Sequence, residues 1–196
     1  MRELHEEVKG KRESKFDIDP LFLNRWSPRA LERDMDEDEL MALFEAARWA
    51  PSSYNNQHWR FLYATPEDDE WSTFVDLMSD FNAEWASEGY ALVVIVSRTT
   101  FDHNGEEART HRFDTGAAWE NLALEASRRD LVAHGMQGFD YEKAREELDV
   151  PEGFDVEAMI AIGSKGDESE LDEDFQVEPN GRKSLDEITS RGKFDF

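Results

Sequence analysis

The segment Pro51-Ser52-Ser53-Tyr54-Asn55-Asn56-Gln57-His58-Trp59 crowds two serine hydroxyls and three side-chain amides between an apolar-periodic stretch and an apolar run. Hydroxyls and carboxamides each donate and accept hydrogen bonds. An ordinary turn uses about two such groups. This many at a helix-to-strand junction suit the edge of a flat, heteroatom-rich ligand. Arg25-Trp26-Ser27-Pro28-Arg29 adds two guanidiniums and a hydroxyl within five residues. The planar fork of arginine matches phosphate oxygens or ring carbonyls, although surface ion pairing would explain these residues taken alone. Gly135-Met136-Gln137-Gly138 sets backbone N–H groups between glycines, where a ligand could approach closely or the chain could simply turn. Arg182-Lys183 offers a second phosphate clamp or a plain basic patch.

Other chemistries lack their residues. No G-x-G-x-x-G, G-x-x-x-x-G-K-[ST] or G-x-S-x-G run occurs, and Gly163-Ser164-Lys165-Gly166 has the wrong spacing for a phosphate loop. The histidines (5, 58, 103, 111 and 134) form no metal-binding pattern, so no metal is expected. Cysteine is absent, which excludes disulfides and thiolate chemistry.

The elements that must position these clusters follow from periodicity. Asp36 with Glu39 forms a capping box ahead of Leu40, Leu43, Phe44 and Ala47, predicting a helix over 37–49. Trp59 to Tyr63 reads as a strand, and Pro66 as the opening of a helix carrying Trp71, Phe74, Val75 and Met78. Residues 90–97 are too continuously apolar for an exposed edge and belong in the sheet centre. A long helix over about 110–130 carries Gly116-Ala117-Ala118 where something packs closely. Strands at 131–136 and 156–163 follow, separated by a brief helix capped by Asp140. The expectation is an α+β fold with helices over four or five strands: a polar arm, 1–19, and a single domain, 20–196.

The chain has 196 residues, with 46 acidic against 22 basic, for a formal net charge of −24. Acidic residues are spread throughout. This resembles the carboxylate-dense, halophilic surface of salt-adapted proteins, with an acidic interaction surface as the alternative. At molar salt the Debye length is roughly 3 Å and self-repulsion is screened. Nucleic acid is an unsuitable partner without a basic footprint. No apolar run is long enough to span a membrane, and residues 1–7 contain no signal core, so a soluble cytoplasmic protein is expected.

Taken in order, the four clusters resemble the nitroreductase family of FMN-dependent oxidoreductases, over about residues 20–196. The resemblance implies that Arg25, Trp26 and Ser27 lie in the motif holding the flavin phosphate and ribityl chain, and that Arg29 reaches the pyrimidine carbonyls. It implies that Pro51, Ser52, Ser53, Asn55 and Gln57 meet the flavin of the partner subunit, and that Asn82 contacts it. Met136, Gln137 and Gly138 would present a backbone N–H to N5, and Arg182 would complete the phosphate site. His58, Trp26, Trp85 and Gln137 depart from residues common in the family. The implied fold is a three-layer α/β/α sandwich on a mixed, mostly antiparallel sheet, in an obligate-type homodimer with FMN at the interface. The implied activity is ping-pong reduction of a nitroaromatic, quinone or activated alkene by NADH or NADPH, the flavin carrying the chemistry without a protein catalytic residue. A specialised flavoprotein and a cofactor-free acidic binding module are the alternatives.

Overall fold

The computed structural model describes residues 3–196; Met1 and Arg2, at the start of the expected arm, lie outside the described residues. The most apolar segment forms strand β3 (Ala91–Arg98), buried at every position except its last. A strand with no polar face has to be covered on both sides. It lies between β2 (Trp59–Ala64) and β5 (Phe154–Lys165), central as expected. The long β5 also pairs with β4 (Leu131–Met136) and with the two-residue β1 (Leu31–Glu32). All named pairings among these five strands are antiparallel, so the sheet has no parallel component.

Side-chain alternation assigns the two faces. Ala91, Val93, Ile95, Ile160 and Ile162 pack with Leu40, Leu43 and Ala47 of α2 (Glu37–Arg48) and with Ala118, Leu122 and Ala126 of α5 (His111–Arg128). Leu92, Val94, Val96, Met159 and Ala161 face Phe74 and Leu77 of α3 (Trp71–Leu77), Trp85 of α4 (Asp80–Ala86) and Ala144 of α6 (Tyr141–Glu147). The result is the three-layer sandwich.

The capping box at Asp36 and Glu39 forms, and Asp140 accepts the N–H of Lys143. Each cap is worth about 1 kcal/mol. The helix expected to open at Pro66 does not start there. Residues 66–70 turn, α3 begins at Trp71, and Met78 is extended at ψ 156°. Ser79 then caps a separate helix, α4, by accepting the Asn82 N–H. A serine that captures local backbone donors ends one helix and starts the next, which apolar spacing over 71–78 did not reveal.

A short helix, α1 (Leu21–Asn24), follows Pro20. The preceding arm is tied to it: Asn24 donates to the Glu3 carbonyl and accepts the His5 N–H, and Val8 is fully buried outside either core cluster.

One irregularity bears on the site. Ile95 pairs with Ala158 while Val96 pairs with Val156, which leaves Glu157 as the extra residue of a β-bulge. Bulges re-aim a side chain that regular alternation would send elsewhere.

Candidate functional site

A cleft of about 540 Å³ opens on the α5 face of the sheet. Arg112, Thr115, Gly116, Trp119 and Glu120 line it at i, i+3, i+4, i+7 and i+8, a single stripe of α5. Ile95, Ala158 and Ile160 form an apolar floor, the end of β4 contributes Gly135, Met136 and Gln137, and Arg25 and Ser27 close one end. Gly116 has open space around it: a Cβ there would meet no atom within 4 Å. Within this chain the close packing expected over Gly116-Ala117-Ala118 is met at Ala118, which is fully buried, and not at Gly116, although glycine costs a helix interior about 1 kcal/mol relative to alanine.

Arg25 and Ser27 also line a second cleft of about 480 Å³, with Arg12, Trp26, His134, Asn180 and Arg182. The two clefts thus adjoin, one with an apolar floor and the other cationic. Arg25 donates to the Ser27 hydroxyl at 3.3 Å. Burial lowers the Arg25 pKa, Glu120 opposes that shift and the Arg182 charge reinforces it. Burial likewise lowers Arg12, helped by Arg182 and Arg25. Beside them His134 is held below its usual range, chiefly by burial, even though its Nδ1 lies 2.8 Å from the Pro28 carbonyl. The Trp26 indole turns toward the arm, donates to Glu7 and carries the Lys165 ammonium over its ring.

Arg29, Asn82 and Gly138 do not line either cleft; they sit toward α4. The Arg29 guanidinium lies 4.9 Å from the Phe81 ring and 5.8 Å from that of Trp85, and its buried Nε has no hydrogen-bond partner among the described residues. Asn82 donates to the Gly138 carbonyl at 3.1 Å, so close that a Cβ on Gly138 would come within 2.5 Å of its amide nitrogen. Trp85 is a core residue packed on His134, with ring centroids 4.5 Å apart.

The Pro51–Gln57 segment stands apart from both clefts. It is fastened to the first turn of α5, where buried Asp114 accepts the Ser53 N–H at 2.9 Å. Ser52 Oγ accepts the Gln57 N–H, and the Gln57 amide returns to the Asn55 carbonyl. Asn56 secures the segment to the connector by accepting the Asp102 N–H and donating to the Thr100 carbonyl. Tyr54, Asn55 and Gln57 all have φ near +50°. Left-handed backbone in residues other than glycine costs of order 1 kcal/mol each and collects at functional segments. Tyr54 is 80% exposed, and Trp49 at the end of α2 (72%) and Phe113 on α5 (81%) are exposed as well.

Residue spacing did not single out the α5 stripe, Glu157 or Arg12. The stripe had a signal, the helical spacing of 112, 115, 116, 119 and 120; the bulge at Glu157 had none. Ser97 Oγ lies 2.5 Å from Glu157 Oε1 and 2.7 Å from His111 Nδ1. His111, Asp155 and Glu157 come close enough to hold a cation, but Arg112 reaches Asp155 at 2.7 Å and Glu157 at 3.4 Å and already supplies a charge there.

Comparison with known proteins identifies the family. The model of the Nitroreductase family matches residues 23–89 and 69–164. An uncharacterized 15.4 kDa protein of Mycolicibacterium smegmatis is 31% identical over 137 residues, 67% of this chain and 88% of that protein. A solved oxidoreductase containing FMN is 41% identical, with a TM-score of 0.89 over 94% of this chain and 96% of that one. A nitroreductase family protein from Streptococcus pneumoniae shares the fold at a TM-score of 0.70 and 19% identity, covering 87% of this chain and 98% of that one.

Proposed function

The chain belongs to the nitroreductase family, and from that premise we propose that it is an FMN-dependent oxidoreductase that uses NADH or NADPH. The observation that carries this reading is the pair of adjoining clefts. A slot with an apolar floor runs into a cationic end, and both share Arg25 and Ser27. That shape fits a molecule with a flat ring at one end and a phosphate at the other. The relative at 41% identity is an oxidoreductase containing FMN. Bound FMN would carry a hydride from the nicotinamide to an electrophilic acceptor, such as a nitroaromatic, a quinone or an activated alkene.

The residues divide the work. Arg25, Ser27 and Arg182 hold the phosphate, while Ile95, Ala158 and Ile160 exclude water beneath the ring. Met136 and Gln137 border its reactive edge, and Gly116 keeps the α5 wall flat. Arg29, with its unpartnered Nε, and Asn82 and Gly138 lie behind that edge and serve the pyrimidine side. Pro51, Ser52, Ser53, Asn55 and Gln57 line neither of this chain's own clefts and serve a second copy's flavin. The exposed Trp49, Tyr54 and Phe113 beside them supply apolar surface for such a homodimer. The dispersed carboxylates suit a cytoplasm of high salt, where screening removes their repulsion; a melting temperature that rises toward molar salt is the expected result.

The test is spectroscopic. Protein supplied with FMN should be yellow, absorb near ~450 nm, and bleach anaerobically with NADH or NADPH. A colourless protein under these conditions would remove the reading. A yellow protein that never bleaches would instead be a specialised flavoprotein.

A further inference from the structure

Arg12 lies in the arm, outside the residues matched by the family model, which begin at 23. It nevertheless enters the cationic cleft with Arg25 and Arg182. Acidic residues outnumber basic ones by 46 to 22 in this chain. Yet among the described residues no carboxylate pairs with any of these three guanidiniums. The one carboxylate lining the cleft, Glu178, is held by Lys11 at 2.9 Å. Arg12 and Arg25 are half-buried without a carboxylate pair and the exposed Arg182 stands beside them, an arrangement that suits an anion rather than stability.

The hydrogen bonds of Arg12 explain how it is held there. Nε donates to the Asn180 carbonyl at 2.8 Å, Nη1 donates to the Leu23 and Arg25 carbonyls at 2.8 and 2.7 Å, and Nη2 reaches Asn180 Oδ1 at 3.4 Å. An arginine has five N–H donors, so among the described residues one N–H on Nη2 stays uncommitted together with the whole charge. The same Asn180 Oδ1 accepts from Arg182 Nη1 at 3.0 Å. Arg12 thereby clasps three segments: the arm, the Arg25 loop and the tail that carries Arg182.

We infer that Arg12 is a third phosphate-binding arginine, and that arm and tail close together over a doubly charged phosphate monoester through Arg12, Asn180 and Arg182. The inference rests on the FMN reading of the adjoining cleft for the identity of that monoester. Arg12 supplies charge and one N–H to the phosphate and positions Arg25 through its backbone carbonyl.

The test compares FMN with riboflavin, which lacks the phosphate, in wild type, Arg12→Gln and Arg12→Lys. Wild type should prefer FMN, and Arg12→Gln should reduce that preference about tenfold, leave riboflavin binding unchanged and flatten the salt dependence of FMN affinity. Arg12→Lys, which retains the charge, should recover part of the preference. An unchanged FMN-to-riboflavin ratio in Arg12→Gln would overturn the inference, as would equal weakening of both ligands, since that is what a purely structural clasp predicts. Line broadening of inorganic phosphate in ³¹P spectra separates the two readings. If wild type ignores both flavins but broadens phosphate in an Arg12-dependent way, the three-arginine site stands and the FMN reading fails. If wild type binds FMN and Arg12→Gln broadens phosphate as wild type does, the Arg12 inference fails and the FMN reading stands.

Discussion

The cationic cleft and the Pro51–Gln57 segment are both rich in hydrogen-bonding side chains, yet they satisfy them in opposite ways. In the cleft, among the described residues, the Arg25 side chain makes a single hydrogen bond, to Ser27, and no carboxylate pairs with it, although the Glu120 charge partly offsets that of Arg182. In the segment, Ser52, Asn56 and Gln57 are satisfied by the chain itself, and the backbone is held left-handed at three residues. Unsatisfied charge inside a concavity marks a place for a ligand. Satisfied, strained and outward-facing backbone marks a surface pre-shaped for something beyond this chain. On the proposed reading, that difference corresponds to a split site, with the cationic half in one subunit and the amide half offered to a second copy.

The strongest attack on that division is Arg25→Ala. It should weaken FMN binding by about 10- to 100-fold, the worth of a hydrogen bond to a charged group, measured by fluorescence titration. Binding within twofold of wild type would remove Arg25 from the phosphate end.

Next comes complementation. Asn55→Ala alone should weaken FMN by a smaller factor, about threefold to tenfold. Refolding Arg25→Ala and Asn55→Ala subunits together should then create mixed dimers in which one site carries both defects and the other carries neither. Recovery of a tight-binding population in the mixture is the expected result. No recovery would mean that the segment serves its own chain, and the contrast between the two regions would collapse.

Asp114→Ala sharpens the other side. It strips the Ser53 N–H and the Thr110 hydroxyl of their acceptor, and should cost about 1–3 kcal/mol in a chemical denaturation curve. The phosphate preference of the cleft should survive in the folded fraction.

The smallest expected effect is one of pH. Burial holds His134 below its usual 6.5 in the folded protein. Below that value the unfolded chain binds more protons, so stability is full above pH 6.5 and declines as pH falls through the lowered value. His134→Gln should flatten that part of the melting-temperature profile while leaving the Pro51–Gln57 half of the site untouched. An identical acid slope in both proteins would show that His134 carries none of it.

Much of the fold could be read from local pattern. The unbroken apolar run of 90–96 required two covering layers, and Asp36, Glu39 and Asp140 announced their helices. The break between α3 and α4 could not be read that way, because the apolar spacing of 71–78 runs on while Ser79 captures the backbone. In the site, Arg25, Ser27, Met136, Gln137 and Arg182 line the two adjoining clefts. Arg29 and Asn82 lie behind them. The α5 stripe was present in the spacing but masked by its mixed chemistry, from arginine to glycine to tryptophan.

By itself the sequence determined residue types, periods and caps, since these depend on neighbours within a turn or a pleat. It therefore specified which faces are apolar and which segments are dense in hydrogen-bonding groups. Only the tertiary structure decided which of those groups meet. Arg12 reaches Asn180 across 168 residues of chain, and Glu157 reaches Ser97 and His111 because one residue of β5 has no partner on β3. Contacts of that kind depend on strand register and on the docking of distant segments, and no local pattern encodes either.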